Sequence, residues 1–459
     1  MSKVDQIVEH LAADIASGAL AAGKRLPSIR RAAEDFGVSK NTIVEAFDRL
    51  TSRGVVRAVH GSGFYVVDQG TETSRPPSPP HMSEAVDQVS LLNAQLHQDL
   101  QVRIGDGRPP LSWMQDALPQ KLSGNFLQRF QGDQTAYGSA WGNVPLREII
   151  VQKYRRDGMA VAIEQVVTTF GANHALDLII RRYLEPGDTV LVDEPGYYPL
   201  FAKLKLAQIT AVGVPRTPTG PDVDQLRALA RAHRPRMFFT QSRCQNPTGS
   251  AMDLPTAHAV LQAATLFGMR IVDNDPFADL PDQPGIPLAA LDQFETVIAI
   301  STYSKLLSAS FRVGYLVAPR QIARELAELK LVTVVNSSRF SEMLTCEMVT
   351  NRRYQRHLKK TAQRLAERRA DFHARIAAMG LTVFDPAGGG YYSFLQLPRT
   401  ADEAQIARSA LAKGIFLAPG KFFHVSQDSR TPAFRINLTR SDDPRFYSFL
   451  KKELTPPGR

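Results

Sequence analysis

Cysteine is nearly absent: two in 459 residues, Cys244 and Cys346, far apart and outside any metal-ligand spacing. A disulfide framework and a zinc or other metal site are therefore not expected, and both thiols should be buried and inert. Long hydrophobic runs are missing as well. No stretch approaches the ~18 apolar residues of a membrane span, and the opening Met1-Ser2-Lys3-Val4-Asp5 does not lead into the apolar core of a secretory signal. A cytoplasmic protein with no membrane partner is expected. Internal repeats are lacking too. What the chain does have is 43% hydrophobic residues with 22% charged ones, the balance of an ordinary globular protein. A single core stops growing at about 250–300 residues, so two or three domains are expected. The net charge of +10 suits an anionic polymer without locating a face for one.

Val4, Ile7, Val8, Leu11 and Ile15 recur at helical spacing, which predicts an amphipathic helix ending near Ser17-Gly18. A short helix from Ser28 to about Phe36 follows Pro27, and Gly37 supplies a tight turn. Ser39 is the expected N-cap of a helix over 41–52, with Ile43, Val44, Phe47 and Leu50 on its apolar face. Two strands, 55–59 and 64–67, joined through His60-Gly61-Ser62-Gly63, then form a small β-wing. This helix-turn-helix order places Ser39, Lys40, Asn41 and Thr42 in the major groove of double-stranded DNA. Arg30, Arg31 and Arg49 are available for phosphates, and the His60-Gly61 wing tip for the minor groove.

From residue 68 to 110 the composition turns polar and proline-rich, with Arg75-Pro76-Pro77-Ser78-Pro79-Pro80, and predicts a linker in which 91–102 is helical. Beyond it, helical stretches alternate with apolar strands such as 190–192, 237–239 and 297–300. That pattern predicts an α/β domain over 111–320 with a largely parallel sheet. The remainder, 321–459, opens with a long charged helix, ends in strands near 391–397 and 434–438, and reads as a smaller α+β lobe.

Several residues of the α/β part sit where such folds place ligands, at strand ends and helix starts. Lys305 follows the strand 297–300 in Ser301-Thr302-Tyr303-Ser304-Lys305. The hydroxyls of Thr302 and Ser304 and the guanidinium of Arg312 can converge on a dianion. Gly171-Ala172-Asn173-His174 precedes an apolar helix, Tyr197 follows the strand ending in Asp193-Glu194, and Asn246 stands in Asn246-Pro247-Thr248-Gly249. An amine, an anion cup, a stacking ring and an amide beside it are together what a pyridoxal 5'-phosphate site requires.

Leu26-Pro27-Ser28-Ile29-Arg30, Gly37-Val38-Ser39-Lys40-Asn41-Thr42 and Gly61-Ser62-Gly63-Phe64 resemble the GntR family of winged-helix regulators over residues 1–67. From about Pro110 onward the chain resembles the fold-type-I aminotransferases, and the whole is similar to MocR-type regulators. The resemblance implies that Lys305 forms the Schiff base with the cofactor and that Tyr197 stacks on its ring. It implies Asn246 at the ring oxygen, and Ala172, Asn173, Thr302, Ser304 and Arg312 at the phosphate. It also implies a homodimer in which Tyr137 reaches the phosphate of the neighbouring subunit, and a ligand carboxylate paired with Arg435.

One segment departs from that family. Where it usually reads Asp-x-x-Tyr, this chain has Asn274 and Phe277. A carboxylate keeps the pyridine nitrogen protonated, whereas an amide only hydrogen-bonds, so the electron sink should be weaker. Asp273 would substitute for it only through a register shift or bulge, because neighbours in a strand face opposite ways. The expected function is a transcription regulator sensing an amine, an amino acid or a B6 vitamer. The alternatives are an active aminotransferase carrying a DNA-binding domain, and a plain DNA binder with the body as scaffold.

Overall fold

A computed structural model of the chain describes residues 3–17, 19–59, 62–67, 81, 90–91, 100–118, 122, 124, 126–131, 137–425 and 431–454. They divide into two compact units, within 1–79 and 80–459. Most of the helix expected over 91–102 lies outside the described residues.

The first unit contains α1 (Lys3–Ala16), α2 (Ile29–Phe36), α3 (Lys40–Ser52) and an antiparallel hairpin of β1 (Val56–Val59) and β2 (Gly63–Val66). Local chemistry sets the turn between α2 and α3. The Ser28 hydroxyl accepts from the Arg31 N–H and the Ser39 hydroxyl from the Thr42 N–H, while Gly37 ends α2 at φ +59°. Ile7, Val8, Leu11, Leu26, Ile43, Ala46, Phe47, Leu50, Val56 and Val66 form one core. Val44 does not join it and is 37% exposed. With about 3.6 residues per turn, Ile43, Ala46, Phe47 and Leu50 share one arc of the helix and Val44 falls outside it.

The strands of the second unit are β3 (Val166–Thr169), β4 (Thr189–Glu194), β5 (Thr210–Thr217), β6 (Gly220–Pro221), β7 (Met237–Thr240), β8 (Arg270–Asn274), β9 (Val297–Thr302) and β10 (Gly314–Val317). They lie in the order β3-β10-β9-β8-β7-β4-β5-β6. From β9 through β5 the strands are parallel, and β10 runs antiparallel between β9 and β3. Alternate residues feed two separate cores: Leu191, Phe238 and Ile271 one, Val192, Phe239 and Val272 the other. Burial on both faces explains why these strands read as continuous apolar runs. Among the helices, α4 (Val144–Arg156) precedes β3, α5 (Ala172–Tyr183) follows it, and α6 (Tyr198–Leu206), α7 (Val223–His233) and α8 (Leu254–Phe267) connect the parallel strands.

Next come α9 (Arg320–Val334), α10 (Arg339–Val349) and the long α11 (Arg352–Ala378). A four-stranded antiparallel sheet follows, made of β11 (Thr382–Val383), β12 (Tyr392–Gln396), β13 (Ala418–Pro419) and β14 (Ala433–Asn437) in the order β11-β12-β14-β13. Helices α12 (Glu403–Ala412) and α13 (Pro444–Leu454) complete this lobe.

The linker expected over 68–110 is too long at its C-terminal end. Residues 102–110 are part of this lobe: the Phe416 N–H donates to the Val102 carbonyl, and the Asn437 N–H to that of Ile104, both at 2.7 Å. Asp106 is fully buried, with Arg103 at 2.9 Å, Arg108 at 3.2 Å and Arg440 at 3.9 Å. Burial pushes its carboxyl up, but the surrounding guanidinium groups outweigh that and hold it below the usual range. Composition read this stretch as solvated, since the segments that pair with it, at Phe416 and Asn437, are remote in sequence.

Among the described residues no helix is long and apolar enough to cross a membrane, and no cluster of His, Cys, Asp or Glu could hold a metal. Cys244 is buried and Cys346 half-buried, and burial pushes the Cys244 thiol up to about 12.

Phe47 is fully buried, edge-on to Phe64 with ring centroids 5.0 Å apart. Phe47→Ala is expected to destabilise the first unit by about 3–5 kcal/mol, read by pulse proteolysis within residues 3–67 across a urea series. A loss under about 1 kcal/mol would contradict this packing.

Candidate DNA-reading and cofactor sites

At the start of α3, Lys40 and Asn41 are exposed and Thr42 is half-buried. Ser39 caps the helix, and its hydroxyl lies 2.8 Å from that of Thr42, so its oxygen is already engaged. The helix N-terminus adds a positive dipole end beside Lys40. Arg30 and Arg31 are exposed, Arg30 with Glu34 at 3.6 Å. Arg49 requires a correction. Its two terminal nitrogens bond Asp5 and Glu45, each at 2.7 Å, so it ties α3 to α1 and is not a free phosphate ligand. His60 and Gly61 lie outside the described residues.

In the body, sheet register assembles an anion cup. Thr302 of β9, Gly314 of β10 and Thr169 of β3 stand side by side. Gly314 lets the chain after β3 come close: a β-carbon there would sit 2.7 Å from the Gly171 Cα. Gly171, at φ +79°, is the N-cap of α5, so the N–H groups around Ala172 and Asn173 open toward the same place. Arg312 lies beside it, donating to the Phe170 carbonyl at 3.0 Å and otherwise exposed. Ser304 joins through its N–H to Thr302 Oγ1 at 3.2 Å, with the two hydroxyls 3.0 Å apart.

Around the cup stand groups from other strand ends. Tyr197 donates to Asn173 Oδ1 at 3.2 Å and lines a small cavity with Asn274 at the end of β8. The Oδ1 of Asn274 is buried without a hydrogen-bond partner among the described residues. The bulge that would bring in Asp273 is absent, since β8 pairs regularly with β7 and β9. The Asp273 carboxylate instead accepts from the Ser242 N–H at 2.9 Å, the Ser242 hydroxyl at 2.6 Å and the Leu288 N–H at 3.2 Å. Phe277 is fully buried against Tyr391, with ring centroids 4.8 Å apart.

Arg435 lies on β14, in the interior of the small sheet, and is 1% exposed. It donates to Asn246 Oδ1 at 3.2 Å and to the Gly105 carbonyl at 2.9 Å, with the Tyr392 and Phe423 rings each 5.0 Å away. Its Nε has no partner among the described residues. The Lys305 amine donates to the Gly107 carbonyl at 2.7 Å, and that carbonyl also accepts from the Tyr392 hydroxyl at 2.9 Å. Tyr137 is 84% exposed.

Sequence reasoning missed Gly105, Gly107, Tyr392 and Phe423. The paired glycines of Ile104-Gly105-Asp106-Gly107 were the available signal, hidden by the polar composition around them. The charged and polar groups present suit a ligand with a dianionic end, an electrophile within reach of Lys305 and a carboxylate near Arg435.

His174, in the first turn of α5, accepts the Phe170 N–H on Nδ1 at 3.2 Å. Burial, then the nearby Lys330 ammonium, lower its pKa to about 4. The folded chain therefore refuses a proton that the unfolded chain takes up near pH 6.5, and stability from this group is lost as pH falls from about 6.5 to about 4. His174→Gln should flatten that part of the stability–pH curve in chemical unfolding, and an unchanged slope would refute the assignment.

Residues 103–446 match the model of the family "Aminotransferase class I and II", and residues 3–66 that of "Bacterial regulatory proteins, gntR family". The uncharacterized HTH-type transcriptional regulator YdcR of Escherichia coli (strain K12) is 28% identical over 447 residues, 93% of each chain. The HTH-type transcriptional regulator NorG of Staphylococcus aureus (strain USA300) is 24% identical over 442 residues, covering 93% of this chain and 100% of NorG. Among solved structures, LysN, the α-aminoadipate aminotransferase of Thermus thermophilus, aligns with a TM-score of 0.71 at 22% identity, covering 81% of this chain and 96% of LysN. Pyrococcus horikoshii kynurenine aminotransferase aligns with a TM-score of 0.69 at 23% identity, covering 79% and 92%. The chain belongs to the class I and II aminotransferase family and, with its gntR-family N-terminal region, has the two-part build of MocR-type regulators.

Proposed function

We propose that this protein is a DNA-binding transcription regulator whose body binds pyridoxal phosphate and senses an amine, amino acid or B6 vitamer at the same site. One observation carries the reading: the strand-end group facing the Tyr197 cavity is an amide, Asn274, with a buried oxygen unpartnered among the described residues. Pyridoxal phosphate, when bound, supplies an electrophilic aldehyde carbon conjugated to an electron-withdrawing ring.

The residues present fit that group. The Gly171–Asn173 backbone, Thr302, Ser304 and Arg312 would hold the phosphate, Tyr197 would cover the ring, and the Asn274 oxygen would accept from a ring N–H. With its Oδ1 occupied by Arg435, Asn246 keeps its amide N–H bonds for the ring oxygen. Phe277 offers none. Lys305 supplies the amine and, on exchange with an amine ligand, holds the released proton. The unpartnered Nε of Arg435 orients a ligand carboxylate. Because Asn274 carries no charge, its oxygen favours the protonated ring nitrogen far less than a carboxylate would, and proton removal at the ligand's α-carbon is slow.

A homodimer goes with this reading. Tyr137, Leu127, Val332, Val335 and Phe340 are exposed apolar side chains on neighbouring segments: Phe340 packs on Phe126 and Phe130, and Gly138 backs onto Asn336 and Arg339. Such a patch suits a second copy, which would bring Tyr137 to its neighbour's phosphate. A cytoplasmic location also follows from a role on DNA. Ligand binding regulates only if the two arrangements of the DNA readers bind it with different affinity.

The active-aminotransferase alternative is favoured by the intact Lys305, Asn246 and Arg435 arrangement, and one variant separates the two. Asn274→Asp should raise single-turnover transamination of a responsive amino acid by about tenfold or more, equivalent to ~1.4 kcal/mol of barrier. A parent chain already turning over at ordinary enzyme rates would refute the sensor reading. Lys305→Ala should abolish borohydride trapping of the cofactor on the protein. Trapping at another lysine would refute the assignment of the amine.

A further inference from the structure

The outer face of α3 holds an apolar residue that stays out of the core. Val44 stands one turn after Lys40, is 37% exposed and is absent from the core that takes Ile43, Ala46, Phe47 and Leu50. Its surroundings are graded in charge along the helix. The first turn carries Lys40, Asn41 and the helix N-terminus and no carboxylate; the next carries Glu45, whose carboxylate is held by Arg49 at 2.7 Å; Asp48 follows, exposed. An anionic duplex is attracted to the first turn and repelled by the third, so the helix enters a groove by its N-terminal turn and a half. Val44 lies at the deep limit of that stretch, on the same side as Lys40 and Asn41.

An isopropyl group neither donates nor accepts a hydrogen bond. Against the donors and acceptors of the major groove it would leave base-edge groups without hydrogen-bond partners, except at the one apolar feature the groove offers, the 5-methyl of thymine. We propose that Val44 is a specificity-determining residue that reads the methyl of a thymine in each operator half-site, while Lys40 and Asn41 supply the polar contacts. This rests on the reading of the first unit as the DNA reader.

The test uses the full chain with its cofactor on duplexes selected from a random pool, with each thymine replaced in turn by deoxyuridine, which lacks only the methyl. One position per half-site should weaken parent binding by about fourfold, the equivalent of one buried methyl at ~0.8 kcal/mol. V44A should bind the thymine duplex about as weakly as the parent binds one with deoxyuridine at that position in both half-sites, and should not distinguish the two. A V44A chain that binds like the parent, or keeps its sensitivity to every deoxyuridine, overturns the inference, as does a pool that yields no preferred sequence. K40A supplies the second arm: it should weaken binding equally on both duplexes and reduce the salt slope by about one. If K40A does so while V44A and deoxyuridine show no coupling, only the Val44 inference fails. If K40A changes neither affinity nor slope, the placement of α3 on DNA fails with it.

Discussion

Two glycine backbones in contact, Gly171 and Gly314, decide where the body can hold an anion. Their approach follows from β10 running antiparallel between β3 and β9, which puts Thr169, Gly314 and Thr302 in one row. The start of α5 then aims its free N–H groups at the hydroxyls that follow β9, and Arg312 closes the side. A side chain at Gly314 would push the helix start off the sheet, and one at Gly171 would be strained at φ +79° and crowd the Arg312 guanidinium, so the remaining site residues would lose their common target. Cofactor binding therefore depends first on packing and only then on the charged groups that make it tight.

The second requirement is that the small lobe reach the cup. It does so through the buried stretch from Val102 to Pro110, whose Gly107 carbonyl receives both the Lys305 amine and the Tyr392 hydroxyl, and whose Gly105 carbonyl receives Arg435. The ion cluster on Asp106 fixes that stretch in place. The Lys305 amine and the Arg435 guanidinium come from residues far apart in sequence, yet nearby carbonyls of one short loop position both.

The sequence made much of this legible. Ser28, Gly37 and Ser39 specified the helix pair of the first unit, because caps and tight turns act over three or four residues and are written locally. Apolar runs flanked by turns predicted the parallel strands, since burial on both faces leaves little else. Lys305, Asn246, Tyr197 and Arg312 could be picked out as candidates because each follows a strand end or opens a turn. The errors had one kind of cause. Val44 was assigned to the apolar face by its composition, Arg49 to phosphate by its charge, and residues 102–110 to a linker by their polarity.

What the sequence determined by itself is the inventory: a helix-turn-helix with its caps, an α/β body, an amine, a cup of donors, and an amide at the place where this family usually has a carboxylate. Tertiary structure alone decided which partner each group meets. Asp273 and Asn274 are consecutive residues, and only the regular pairing of β8 sends the carboxylate to Ser242 and Leu288 and leaves the amide facing Tyr197. Arg49 is tied to Asp5 as well as to its neighbour Glu45, and Arg440 joins Arg103 and Arg108 around Asp106, across separations that no local pattern encodes. Periodicity and capping are short-range properties of a chain, whereas the pairing of charges and the facing of strand ends depend on how distant segments pack.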